Sequence, residues 1–118
     1  MIEGLGYVCL EVTDLERSMA FYRDGLRFQY DRRDDEPLPC VHLRAGDLHL
    51  VLTQSASGRD GRRRGIGLFM DVSGVDAYHD ALVARGIGVT APADDFGRRS
   101  FTVRDPDGYV WTFHQSLA

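Results

Sequence analysis

The sequence predicts an α+β fold: two strand–helix–three-strand (βαβββ) modules that pair through their sheets, with the helices outside. Three observations predict it. A chain of 118 residues makes one compact domain, or two half-size modules sharing a core. The first half repeats in the second at an offset of 60, with Tyr7 falling on Gly67, Val12 on Val72 and Leu15 on Val75. Near the end, Asp105-Pro106-Asp107-Gly108 separates two runs rich in aromatic and β-branched residues, the signature of a β-hairpin.

The first module covers about residues 5–55. Tyr7 to Val12 is β-prone, and Thr13-Asp14-Leu15-Glu16 fits a capping box that opens a helix. Leu15, Met19, Tyr22 and Leu26 then fall at helical spacing and give that helix one apolar face. Arg27 to Tyr30 leaves it as a strand, residues 31–39 read as a loop, and "HLRAGDLHLVLTQ" (42–54) supplies the closing strands. A Gly-, Ser- and Arg-rich connector follows over about 55–65. Its Arg59, Arg62, Arg63 and Arg64 read as a hydrated loop rather than an anion clamp.

The second module, about 66–116, repeats the order within a single 1–118 domain. Gly67 to Val72 is a strand, and Ser73-Gly74-Val75-Asp76 opens a helix. That helix has Val75, Tyr78, Leu82 and Val83 on its apolar face and Gly86 as its stop. Residues 93–100 read as a loop carrying Phe96, Arg98 and Arg99 toward the hairpin. "TVRDPDGYVWTFHQ" (102–115) matches the closing strands of the first module, with Arg44 on Arg104 and Val51 on Thr112. Alternation along the last strand puts Trp111 and Phe113 under the helices and Thr112 and His114 on the other face.

Composition sets the functional limits. With 43% hydrophobic and 27% charged residues, the chain is an ordinary globular one rather than a disordered one. A net charge of −4 argues against an electrostatic nucleic-acid binder and leaves a surface tolerant of cationic small molecules. The two cysteines, Cys9 and Cys40, have neither metal-pair spacing nor a disulfide framework, so free thiols in a reducing cytoplasm are expected. Glu3, Glu11, Asp14, Glu16 and Arg17 interrupt any apolar signal core, and no run of about 18 apolar residues exists to span a membrane.

"EVTDLERSMAFYRDGLRF" in the first half and "FTVRDPDGYVWTF" in the second resemble the vicinal oxygen chelate superfamily. It includes glyoxalase I, extradiol dioxygenases, fosfomycin-resistance enzymes and bleomycin-binding proteins. The resemblance covers nearly the whole chain. It implies curved mixed sheets that enclose a cup, a homodimer, and metal ligands on the first and last strand of each module. Those positions fall here on Tyr7, Val51, Gly67 and Thr112.

A catalytic divalent metal needs about three nitrogen, oxygen or sulfur ligands. Val51 has no donor atom and Gly67 no side chain; Tyr7 would have to ionise far below a pKa of about 10, and Thr112 offers a weak neutral hydroxyl. The inherited metal site is therefore expected to be absent, with no metal and no cofactor. Residues two or four positions along the same strands face the same way, which adds Cys9, Glu11, His49, Phe69, Asp71 and His114. Among them Glu11, His49 and His114 would form a displaced two-His-one-carboxylate set. Glu11 also reads as a general base or as a solvated partner of an arginine. Cys9 has no activating cation beside it in sequence.

The chain thus reads as a metal-independent small-molecule-binding protein whose guest is an apolar or aromatic compound such as an antibiotic. The expected ligand-binding residues are Tyr7, Cys9, Glu11, His49, Val51, Gly67, Phe69, Phe96, Thr112 and His114. Phe96 would serve as a lid or a dimer contact. The alternative is an enzyme, a lyase, isomerase or dioxygenase, with a relocated metal or with Glu11 or His114 as an acid–base group.

Overall fold

In the computed structural model, residues 1–36, 38–55 and 66–117 are described. They fall into two units, Met1–Gly61 and Arg62–Ala118. The arginine-rich connector expected over 55–65 lies, apart from Ser55, outside the described residues.

In the first unit, β1 (Val8–Val12) leads into α1 (Leu15–Met19) and a π-helical continuation, Ala20–Gly25. The cap is Asp14 rather than Thr13. Its carboxylate accepts the Arg17 amide at 3.1 Å, while the Thr13 hydroxyl accepts from the Arg17 guanidinium. Leu15, Ser18, Tyr22 and Leu26 are enclosed, while Met19, expected on the apolar face, is only half-buried. Arg27 takes a left-handed conformation at φ 66°, so it ends the helix instead of beginning a strand.

β2 (Gln29–Asp34), β3 (Cys40–Ala45) and β4 (Leu48–Gln54) complete the unit in the order β1-β4-β3-β2, with β1 parallel to β4 and the remaining pairs antiparallel. β2 runs four residues beyond the expected Tyr30 and uses part of the segment read as a loop. Its register, bulged between Tyr30 and Arg32, sets Asp34 directly opposite Cys40. Leu10, Val12, Val41, Leu43, Leu50 and Leu52 are buried with Leu15, Tyr22 and Leu26, which makes one apolar layer between sheet and helix.

The second unit has the same plan. β5 (Leu68–Asp71), α2 (Val75–Ala84), β6 (Ala93–Asp95), β7 (Arg98–Arg104) and β8 (Val110–Ser116) form a sheet in the order β5-β8-β7-β6. β5 is parallel to β8, matching β1 and β4. Trp111 and Phe113 are buried as the alternation requires, and Tyr78 of α2 meets Phe113 edge-on at 5.0 Å between ring centroids. Val83, expected on the apolar face of α2, is 52% exposed.

The 105–108 turn works as its residues dictate. The Asp105 carboxylate accepts the amides of Asp107 (2.9 Å) and Tyr109 (2.8 Å), and Gly108 takes φ 90°. The segment 93–100 is a hairpin tip rather than a loop: Phe96 and Gly97 both have positive φ, at 50° and 71°, as a type I′ turn demands.

One device is built twice. The side-chain carbonyl of Gln54, ending β4, accepts the Leu15 amide at 2.9 Å, and that of Gln115 in β8 accepts the Val75 amide at 2.6 Å. Each ties the first turn of a helix to the last strand of its unit and satisfies a donor the helix itself leaves open.

Candidate functional site

Alternation along the first unit's strands decides which side chains leave the core. With Leu10 and Val12 turned inward, Cys9 and Glu11 point the other way on β1. On β4 the outward set is His49, Val51 and Thr53; on β3 it is Cys40, His42 and Arg44. This face holds an open-sided cavity of about 420 Å³, lined by Tyr7, Cys9, Arg32, Leu38, Cys40, His42, His49, Val51 and Thr53, with mostly apolar atoms in its wall.

Four of the expected binding residues, Tyr7, Cys9, His49 and Val51, line this cavity; Glu11 does not. The Tyr7 ring lies 5.4 Å from that of His49, tilted by 50°. Partial desolvation in the cavity wall, reinforced by Cys40 and Glu11, raises the pKa of the otherwise exposed Cys9 thiol, which keeps it protonated at neutral pH. Desolvation, helped by Arg44 and His42, pulls His49 below the ordinary histidine value, so at neutral pH it is a neutral donor–acceptor.

Three lining residues that the sequence did not single out carry the polar chemistry together with Asp34. His42 is 8% exposed; its Nδ1 lies 2.9 Å from His49 Nε2, and its Nε2 lies 3.1 Å from Asp34 Oδ2 and 3.8 Å from Cys40 Sγ. Arg32 extends along the same edge and reaches Asp34 Oδ2 at 3.3 Å. The missed signal was the Cys40-x-His42 alternation, which shares a face with His49 and Val51 once β3 and β4 are paired.

In the second unit, Phe69, Thr112 and His114 share the face opposite the core, with Phe69 paired to Thr112 and Asp71 to His114 across β5 and β8. His114 is engaged by Asp71 at 3.0 Å, and its ring lies 5.8 Å from that of Phe69. Phe96 is 96% exposed at the β6–β7 turn. Arg98 and Arg99 lie on β7 and are engaged: Arg98 with Asp71, Arg99 with Asp76 and Asp94.

Of the four positions that resemblance marks for a metal, two carry no donor atom, Val51 and Gly67. Val51 contributes only methyl groups to its wall. At Gly67 a Cβ would stand 2.7 Å from Cε1 of Phe69, so a side chain there would require that ring to move. Of the displaced set, His49 is joined to His42 and His114 to Asp71, each within its own unit. Among the described residues, the set that brings three metal-type donors together is Asp34, Cys40 and His42.

The family profile described as Glyoxalase/Bleomycin resistance protein/Dioxygenase superfamily matches residues 4–113. Among solved structures, the glyoxalase/bleomycin resistance protein/dioxygenase domain from Frankia sp. EAN1pec is 21% identical, covering 98% of this chain and 99% of that one, with a TM-score of 0.84. TnmS3, an antibiotic binding protein from Streptomyces sp. CB03234, is 19% identical over 98% and 99% of the two chains, with a TM-score of 0.78. FosX, a fosfomycin resistance protein from Listeria monocytogenes, is 19% identical over 98% and 95%, with a TM-score of 0.81. At these identities the likeness is one of fold. No curated protein sequence matches the chain.

Proposed function

The chain belongs to the Glyoxalase/Bleomycin resistance protein/Dioxygenase superfamily, and we propose that it acts as a small-molecule binder, holding an apolar or aromatic guest on the open sheet face of its first unit without a metal at the positions its family uses. The observation that carries this reading is the wall of the 420 Å³ cavity: Tyr7, Cys9, Leu38 and Val51 offer apolar surface, while Arg32, His42, His49 and Thr53 offer a few orienting polar groups. Stacking on Tyr7 would supply geometry, and burial of an aromatic guest contributes about 25 cal/mol per Å² of apolar surface removed from water.

The antibiotic roles of TnmS3 and FosX make antibiotics the first guests to try. The test is thermal unfolding of chelator-treated protein with bleomycin, fosfomycin or 8-anilinonaphthalene-1-sulfonate. A ligand that binds only the folded state raises the melting temperature with concentration. The reading predicts such a rise for at least one aromatic probe, unchanged by chelator. A flat response to the aromatic probes, or a rise abolished by chelator, contradicts it.

A further inference from the structure

We propose that Asp34, Cys40 and His42 form a binding site for a borderline-soft divalent cation of the Zn²⁺ or Co²⁺ type, on the β2–β3 hairpin and separate from the positions the superfamily uses. All three ligands come from one short stretch, in an Asp-x₅-Cys-x-His spacing. Cys40 and His42 alternate onto one face of β3, and the register sets Asp34 across from Cys40.

The distances suit an ion. A tetrahedral centre with bonds of about 2.0–2.3 Å holds neighbouring nitrogen, oxygen and sulfur ligands about 3.3–3.7 Å apart. Here His42 Nε2 lies 3.1 Å from Asp34 Oδ2 and 3.8 Å from Cys40 Sγ, and all three donor atoms lie within 4.8 Å of one another. Thiolate, imidazole and carboxylate together select Zn²⁺-like ions over Mg²⁺ or Ca²⁺.

The surroundings also suit it. A ligating histidine donates its second N–H to an acceptor, and His49 Nε2, 2.9 Å from His42 Nδ1, is placed to receive it. Without an ion the same chain of contacts is satisfied in the other tautomer, His49 donating to His42 and His42 to Asp34. Binding therefore shifts the tautomer and releases the Cys40 thiol proton. The competing cation is Arg32, whose guanidinium holds Asp34 Oδ2 at 3.3 Å; with side-chain exposures of 55% and 45% this is a surface pair that a bound ion displaces at little cost. Three protein ligands leave a fourth position open.

This site does not depend on the guest-binding reading. The test is titration of untagged, metal-stripped protein with Co²⁺, followed by the thiolate-to-cobalt charge-transfer absorption and then by its loss on adding Zn²⁺. The expected result is saturation at one equivalent. The charge-transfer band should vanish in Cys40→Ser and persist in Cys9→Ser. Affinity should fall tenfold or more in Asp34→Asn, on the order seen for lost metal partners, and rise in Arg32→Gln. Cys40 and Asp34 are only partly buried, so these variants keep the test open if His42→Gln misfolds. No thiolate band at stoichiometric Co²⁺, or a band that survives Cys40→Ser, overturns the proposal. Failure of guest binding in chelator leaves it standing, because the cobalt band is read without a guest.

Discussion

His42 Nδ1 and His49 Nε2 stand 2.9 Å apart, which joins side chains from two neighbouring strands into one polar wall of the cavity. Neither ring is spare. With its other nitrogen against Asp34, His42 is fixed at both ends, and the His49 ring lies 5.4 Å from that of Tyr7. A guest thus meets a pre-set hydrogen-bonding group next to an aromatic surface, which lowers the ordering cost of binding.

The paired glutamines set the helices on their sheets. Gln54→Ala and Gln115→Ala are each expected to cost about 1 kcal/mol, since each frees a helix-start amide, and Gln54→Ala also loses the bond from its amide to the Thr13 carbonyl. Denaturant unfolding of the two variants checks this, and equal losses would show that the repeated contact does the same work in each unit.

Asp105 is 5% exposed and its carboxylate receives two backbone amides. Asp105→Ala should therefore lower stability by about 1–3 kcal/mol, the cost of stranding buried donors. Asp105→Asn keeps an acceptor oxygen and should lose less, measured by the same unfolding curves.

Phe96 holds φ 50° at the first central position of its turn, where a bulky side chain is disfavoured. Phe96→Asn should raise stability by about 0.5–1 kcal/mol in thermal or denaturant unfolding.

Burial pushes the Tyr78 hydroxyl up to about 12. The unfolded chain, with an ordinary value of about 10, gives up that proton first, so Tyr78 favours the folded state below about pH 10 and this contribution drains away between about pH 10 and 12. Melting temperature against pH should fall less steeply over that window in Tyr78→Phe than in the wild type.

The repeat, the two helix starts and the 105–108 turn were legible from apolar spacing and turn residues, although the first helix is capped by Asp14 rather than Thr13 and the second has no side-chain cap. Burial of Trp111 and Phe113 followed from strand alternation alone. What was not legible depends on pairing. "DRRD" (31–34) is a polar, charged run that reads as loop, yet it completes β2, because an edge strand needs little apolar surface once β3 lies beside it. That pairing carries Asp34 to Cys40 and His42, which is why the densest polar cluster escaped notice. The π turn at Ala20–Gly25 likewise has no local signature in the sequence.

The most direct test of guest binding on the first unit's open face is a calorimetric titration of 8-anilinonaphthalene-1-sulfonate into chelator-treated protein, wild type against Cys9→Trp. Cys9 is exposed and lines the cavity, so the larger ring fills the guest's space without entering the core. The prediction is saturable binding to the wild type and at least a tenfold loss in the variant, equivalent to about 1.4 kcal/mol. Equal affinity in the two proteins, or no binding to the wild type without metal, would contradict it.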